Sequence, residues 1–107
     1  MTDNSLTLDN DGHLIQHTDW SLQVAQQLAD SLAISLTDEH FLILNAVREF
    51  YTRFGHPPTT RPLLKYLSQS LPQLDLDNAK LQQLFNTGLV ARHVNRIAGV
   101  PKPANCL

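Results

Sequence analysis

A single cysteine, Cys106, among 107 residues excludes an internal disulfide and a cysteine-rich zinc centre. No apolar run approaches the ~20 residues that a membrane-spanning helix needs. The opening Met1-Thr2-Asp3-Asn4 lacks the basic and apolar stretches of a secretory signal. A lone thiol without an export signal fits a reducing cytoplasm, so a cytoplasmic protein is expected, with no membrane contact. Glycine-rich phosphate loops, a nucleophile elbow and the HExxH zinc pattern are absent as well. His13 and His17 are four apart but fall in a strand and the segment after it, and His40, His56 and His93 are scattered. Neither a metal nor a cofactor is therefore expected.

Each end of the chain lacks charge of one sign. No Lys or Arg precedes Arg48, and no Asp or Glu follows Asp77. The cysteine-bearing end carries Lys80, Arg92, Arg96 and Lys102. A sequence pI near 6.1 argues against the broad basic footprint of a nucleic-acid binder but permits a local basic patch near the thiol.

The patterning predicts a mainly α (α+β) protein, a small helical bundle in one domain. Short alternating stretches, 5–8 and 13–16, flank Asp9-Asn10-Asp11-Gly12 and predict an N-terminal β-hairpin. A helix is expected from about Asp19 to Leu32, with Trp20, Val24, Leu28 and Leu32 on one face. The next starts at Thr37-Asp38-Glu39 and stops at Gly55 before Pro57-Pro58. Leu44, Val47, Tyr51 and Phe54 form its stripe, and it is expected to be the central core helix. A third runs from Thr59-Thr60 to Pro72, a fourth from Asp75 or Asp77 past Phe85, and a last from about Leu89 to Ala98. Residues 100–107, with Pro101 and Pro103, predict an extended, flexible C-terminal arm beyond a domain spanning 1–99.

Sulfur chemistry needs a thiolate that a partner can reach, and a cysteine on such an arm meets that need. Lys102, Arg92 and Arg96 could lower its pKa if the arm folds back, whereas the Leu107 carboxylate opposes this. Composition alone leaves open that Cys106 is an inert thiol in a frayed tail and that Arg92 and Arg96 are a solvated helix face. The turn at Gly55-His56-Pro57-Pro58 also allows a helix-turn-helix reading, with Arg61 and Lys65 entering a groove, on a weak cationic basis.

Three stretches resemble the DsrC/TusE family of sulfur-trafficking proteins. The first is the ending Arg96-Ile97-Ala98-Gly99-Val100-Pro101-Lys102-Pro103-Ala104-Asn105-Cys106-Leu107. The second runs from Leu36-Thr37-Asp38-Glu39-His40 through Val47-Arg48-Glu49-Phe50-Tyr51 to Pro58-Thr59-Thr60-Arg61. The third is Asp11-Gly12-His13-Leu14 with Asp19-Trp20. The resemblance implies a DsrC-like bundle with Cys106 as the persulfide-bearing residue and a sulfurtransferase acting as a relay carrier, not a stand-alone catalyst. It implies that Arg92, Arg96 and Lys102 steer or stabilise the arm. Sulfite-reductase-linked members carry a further cysteine eleven positions earlier, which here is Asn95, so the resemblance points to the single-cysteine, TusE-like branch. The partners it implies are a TusBCD-type sulfur donor complex and a tRNA 2-thiouridylase with bound tRNA, serving 2-thiolation of the wobble uridine, with the chain itself a monomer. The alternative it implies is a DsrC-like partner or regulator of another sulfur oxidation or reduction system. Leu84-Phe85-Asn86-Thr87-Gly88-Leu89-Val90 is one residue longer than in many relatives, which alters how the last helix is presented.

Overall fold

The structure is a computed structural model that describes residues 7–10, 12–86 and 88–102. Five helices are described: α1 (Leu22–Asp30), α2 (Asp38–Phe54), α3 (Thr60–Ser70), α4 (Asn78–Phe85) and α5 (Val90–Ile97). Short 3-10 turns occupy His17–Asp19 and Pro72–Leu74. The mainly helical class agrees with the sequence reading.

The expected hairpin is reduced, among the described residues, to one isolated antiparallel bridge between Leu8 and Leu14, and no strand is present there. Asp9 closes the turn: its amide donates to the His13 carbonyl at 2.8 Å, and its carboxylate accepts from the His13 amide at 2.9 Å. Part of the expected first strand, and Asp11, lie outside the described residues. The bridge turns His13 and Leu14 into the interior, 0% and 2% exposed.

Helix α1 begins later than expected. The Ser21 hydroxyl caps it by accepting from the Val24 amide at 3.2 Å, a local bond that outcompetes helical continuation back to Asp19. Trp20 is therefore extended (φ −74°, ψ 144°) and its ring can lie away from the α1 axis.

Helix α2 starts with Thr37 as its cap and a histidine in place of the usual acid of a capping box. The His40 ring Nδ1 accepts from the Thr37 amide at 3.0 Å, which places the ring proton on Nε2, and Nε2 donates to the Leu84 carbonyl. His40 thus ties the start of α2 to the end of α4. At its other end α2 stops at Gly55 in the left-handed region, as expected. Phe54 departs from expectation. It continues the apolar stripe but is 50% exposed, since helical spacing tells which way a side chain points and not whether a neighbour covers it.

Helix α4 is capped by Asp77, whose carboxylate accepts from the Lys80 amide at 2.8 Å. The hub of the bundle is α5, in place of the expected α2. It packs against α1, α2, α3 and α4 and buries Val90, Ala91, Val94, Asn95 and Ile97. No helix among the described residues is long and apolar enough to cross a membrane.

Candidate functional site: the base of the cysteine arm

The chain leaves α5 through a Schellman turn. The Val100 amide donates back to the Asn95 carbonyl at 3.1 Å, and the Gly99 amide to the Arg96 carbonyl at 3.1 Å. This pairing needs a left-handed residue after the helix, and Gly99 supplies it at φ +76°. Glycine is required for a second reason. A Cβ at position 99 would lie 2.4 Å from Trp20 Cδ1, closer than any real contact.

Side chains from distant parts of the chain take the remaining carbonyls of this helix end. Trp20 Nε1–H donates to Ile97 O at 2.8 Å, and Arg48 Nη1 donates to Ala98 O at 3.0 Å. Arg48 Nη2 donates to His17 O at 3.0 Å, while its guanidinium lies 4.5 Å above the Trp20 ring. The cation stands at the negative end of the α5 dipole. Burial lowers its pKa from the usual arginine value, but a guanidinium stays charged in proteins. His13 closes the set, its Nδ1–H donating to Val100 O at 3.0 Å. Val100 itself is 0% exposed, so the first residue of the expected arm is a core residue. Pro101 is half-buried and Lys102 exposed.

Arg96, on α5, reaches the N-terminal turn. Its guanidinium fills the space beside Gly12, where a Cβ would lie 2.7 Å from Arg96 Cζ, and its Nη2 donates to Ser31 Oγ at 3.1 Å. Its Nε is buried with no hydrogen-bond partner. Arg92 is half-buried one turn earlier. Between them lies His93, whose pKa is held below the ordinary value by burial first, then by the charges of Arg96, Arg92 and His13. Lys102 lines a different feature, a cavity of about 300 Å³ with His56, Pro57, Thr59 and Pro62. Cys106 lies outside the described residues. Asn95 is 0% exposed, and its amide nitrogen donates to the Pro58 and Ala91 carbonyls, each at 2.8 Å. Among the described residues no group of three or more His, Cys, Asp or Glu is placed to hold a metal ion.

His13, Trp20, Arg48 and Gly99 were not singled out as site residues by sequence reasoning. Each nevertheless falls inside one of the three family-like stretches. What looks like three separate motifs in sequence is one contact network around Ile97–Val100.

The family description "DsrC like protein" matches residues 1–107. The chain belongs to this family. It is 34% identical to Sulfurtransferase TusE of Buchnera aphidicola subsp. Schizaphis graminum, over 92% of this chain and 86% of that one. Identity to Sulfurtransferase TusE of Yersinia pseudotuberculosis is 36%, covering 92% of this chain and 91% of the relative. The fold is similar to the solution structure of Allochromatium vinosum DsrC, with TM-score 0.83 and 34% identity over 94% of this chain and 88% of that one. It is also similar to the oxidised gamma-subunit of the dissimilatory sulfite reductase (DsrC) from Archaeoglobus fulgidus, with TM-score 0.78 and 33% identity over 95% and 92% of the two chains. This kinship and the name of the TusE relatives support a sulfur-carrier, sulfurtransferase role for this DsrC-family chain.

Proposed function

We propose that Cys106 is the carrier atom of a sulfur relay. The Cys106 thiolate attacks the outer sulfur of a donor persulfide. A new S–S bond forms, the donor's S–S bond breaks, and the donor leaves as a thiolate. Cys106-S-SH then gives up its outer sulfur to an acceptor by the same exchange, so no external oxidant or reductant enters the transfer. The observation that carries this reading is the lock on Ile97–Val100, which fixes the point from which the arm departs and leaves Cys106 four residues beyond the exposed Lys102. The helical domain, expected to span residues 1–99 and extended by the buried Val100, would present an arm of residues 101–107, with an N-terminal hairpin completing the domain.

The donor we assign is a TusBCD-type complex, and the acceptor a tRNA 2-thiouridylase with bound tRNA, in the cytoplasm, with this chain acting as a monomer. The contacts of Arg96 with Gly12 and Ser31 support a role in holding the base of the arm. Lys102, within the arm, and Arg92 would favour the thiolate or persulfide anion. Reconstitution with donor, thiouridylase, ATP and tRNA tests the assignment. Formation of 2-thiouridine should require this chain and vanish with Cys106→Ser; undiminished thiolation with that variant would refute it.

The likeness to solved DsrC structures favours a second reading, service to a sulfite-reducing or sulfur-oxidising system. Against it stands Asn95, whose buried amide occupies the position of the second cysteine in sulfite-reductase-linked members and bonds Pro58 and Ala91.

A further inference from the structure

One face of the bundle carries an aromatic cluster that the core does not absorb. Phe50 and Phe54 lie 4.6 Å apart by ring centroids, with Tyr66 edge-on to Phe50 at 5.2 Å and His56 edge-on to it at 5.6 Å. Phe54 is half exposed, whereas an apolar ring of that size is usually covered. Beside it opens a groove of about 200 Å³ lined by Phe50, Phe54, Pro62, Lys65, Tyr66 and Gln69. Pro62 also lines the cavity that ends at Lys102, so the two recesses adjoin.

The rim of this face is cationic. Lys65 lines the groove, Lys102 lines the cavity, and Arg53 stands 5.5 Å over the Phe54 ring. Glu49, the carboxylate of the same face, accepts from the Tyr66 hydroxyl at 2.6 Å. Apolar anchoring sites inside a positive rim complement an acidic segment that carries an apolar side chain. A nucleic acid fits less well, because its affinity scales with phosphates neutralised and the chain's net charge is −2.

We propose that the α2–α3 face, from Phe54 and Lys65 to Lys102, docks an acidic, apolar-anchored segment of a protein partner in the relay. The inference rests on the carrier reading of Cys106. Its geometry suits that role, since the face ends where the arm begins. Cys106 lies four positions beyond Lys102, a reach of about 14 Å at full extension. A partner seated on this face would hold its reacting sulfur inside that radius.

The test compares wild type, Phe54→Ala and Lys65→Glu. Both residues are exposed, so folding should survive; thermal melts check it, and Lys65→Glu alone suffices if Phe54→Ala fails to fold. Glutathione persulfide, a small donor with no need of a docking face, should load all three proteins equally and fail with Cys106→Ser. With the relay's protein donor and acceptor, the variants should show roughly tenfold higher apparent KM in at least one transfer step, with turnover at saturation retained. Unchanged KM in both steps overturns the docking face and leaves the carrier intact. Absent loading from the small persulfide removes the carrier reading, and the docking face with it. If the defect is reproduced by salt-dependent binding of tRNA alone, the face belongs to nucleic acid and the proposal is wrong.

Discussion

Trp20 and Gly99 fit together without room for a methyl group: a Cβ on Gly99 would meet Trp20 Cδ1 at 2.4 Å, and the indole nitrogen donates to Ile97 O, two residues before Gly99. The pair joins the segment ahead of α1 to the point where the arm leaves α5. It predicts a coupled response. Gly99→Ala should cost about 3 kcal/mol, part from a left-handed backbone and part from the collision. In a Trp20→Ala background only the backbone part, about 1–2 kcal/mol, should remain. Denaturant melts of the four proteins give the cycle, and strictly additive costs would mean that the two residues do not constrain each other.

Arg48 makes two carbonyl bonds at once and stacks on Trp20, which a planar guanidinium does and an ammonium does not. Arg48→Lys should therefore cost about 1–2 kcal/mol. Amide exchange should quicken at Gly99 and Val100, whose turn loses its clamp. Unaltered exchange at these amides would show that Arg48 does not hold the arm's base.

His93 predicts an acid-side weakness. Its pKa is depressed in the folded protein by burial, then by Arg96, Arg92 and His13. Below the ordinary histidine value of about 6.5, the unfolded chain takes up a proton that the fold resists. Stability contributed by neutral His93 is thus present above that pH and lost as pH falls towards the folded value. His93→Gln should flatten the decline below about pH 6.5 while changing little above pH 7. Parallel curves for the two proteins would contradict this.

Helices were legible where local chemistry sets them. Thr37 and Gly55 bracket α2, and Asp77 caps α4, because caps and stops act within one turn. The start of α1 was not, since Trp20 keeps an i, i+4 relation to Val24 that hides the Ser21 cap. The centrality of α5 is a property of packing between elements far apart in sequence. The same holds for the arm's base, where His13 meets Val100 across 87 positions. Spacing could not reveal that network. The order of the three family-like stretches carried its members without showing that they touch. Asn95, marked in the sequence only as the place of an absent cysteine, is fully buried, where its amide donates to the Pro58 carbonyl, a partner 37 positions away.

A sulfur relay through this chain requires sulfur to reside on Cys106. Intact-mass analysis after incubation with a cysteine desulfurase, cysteine and the donor complex measures this directly, with Cys106→Ser alongside and a reductant added to half of each sample. A gain of roughly 32 Da, one persulfide sulfur, is expected on wild type alone, removed by the reductant. The same gain on Cys106→Ser, or none on wild type with a donor shown to be active, would contradict a relay through Cys106.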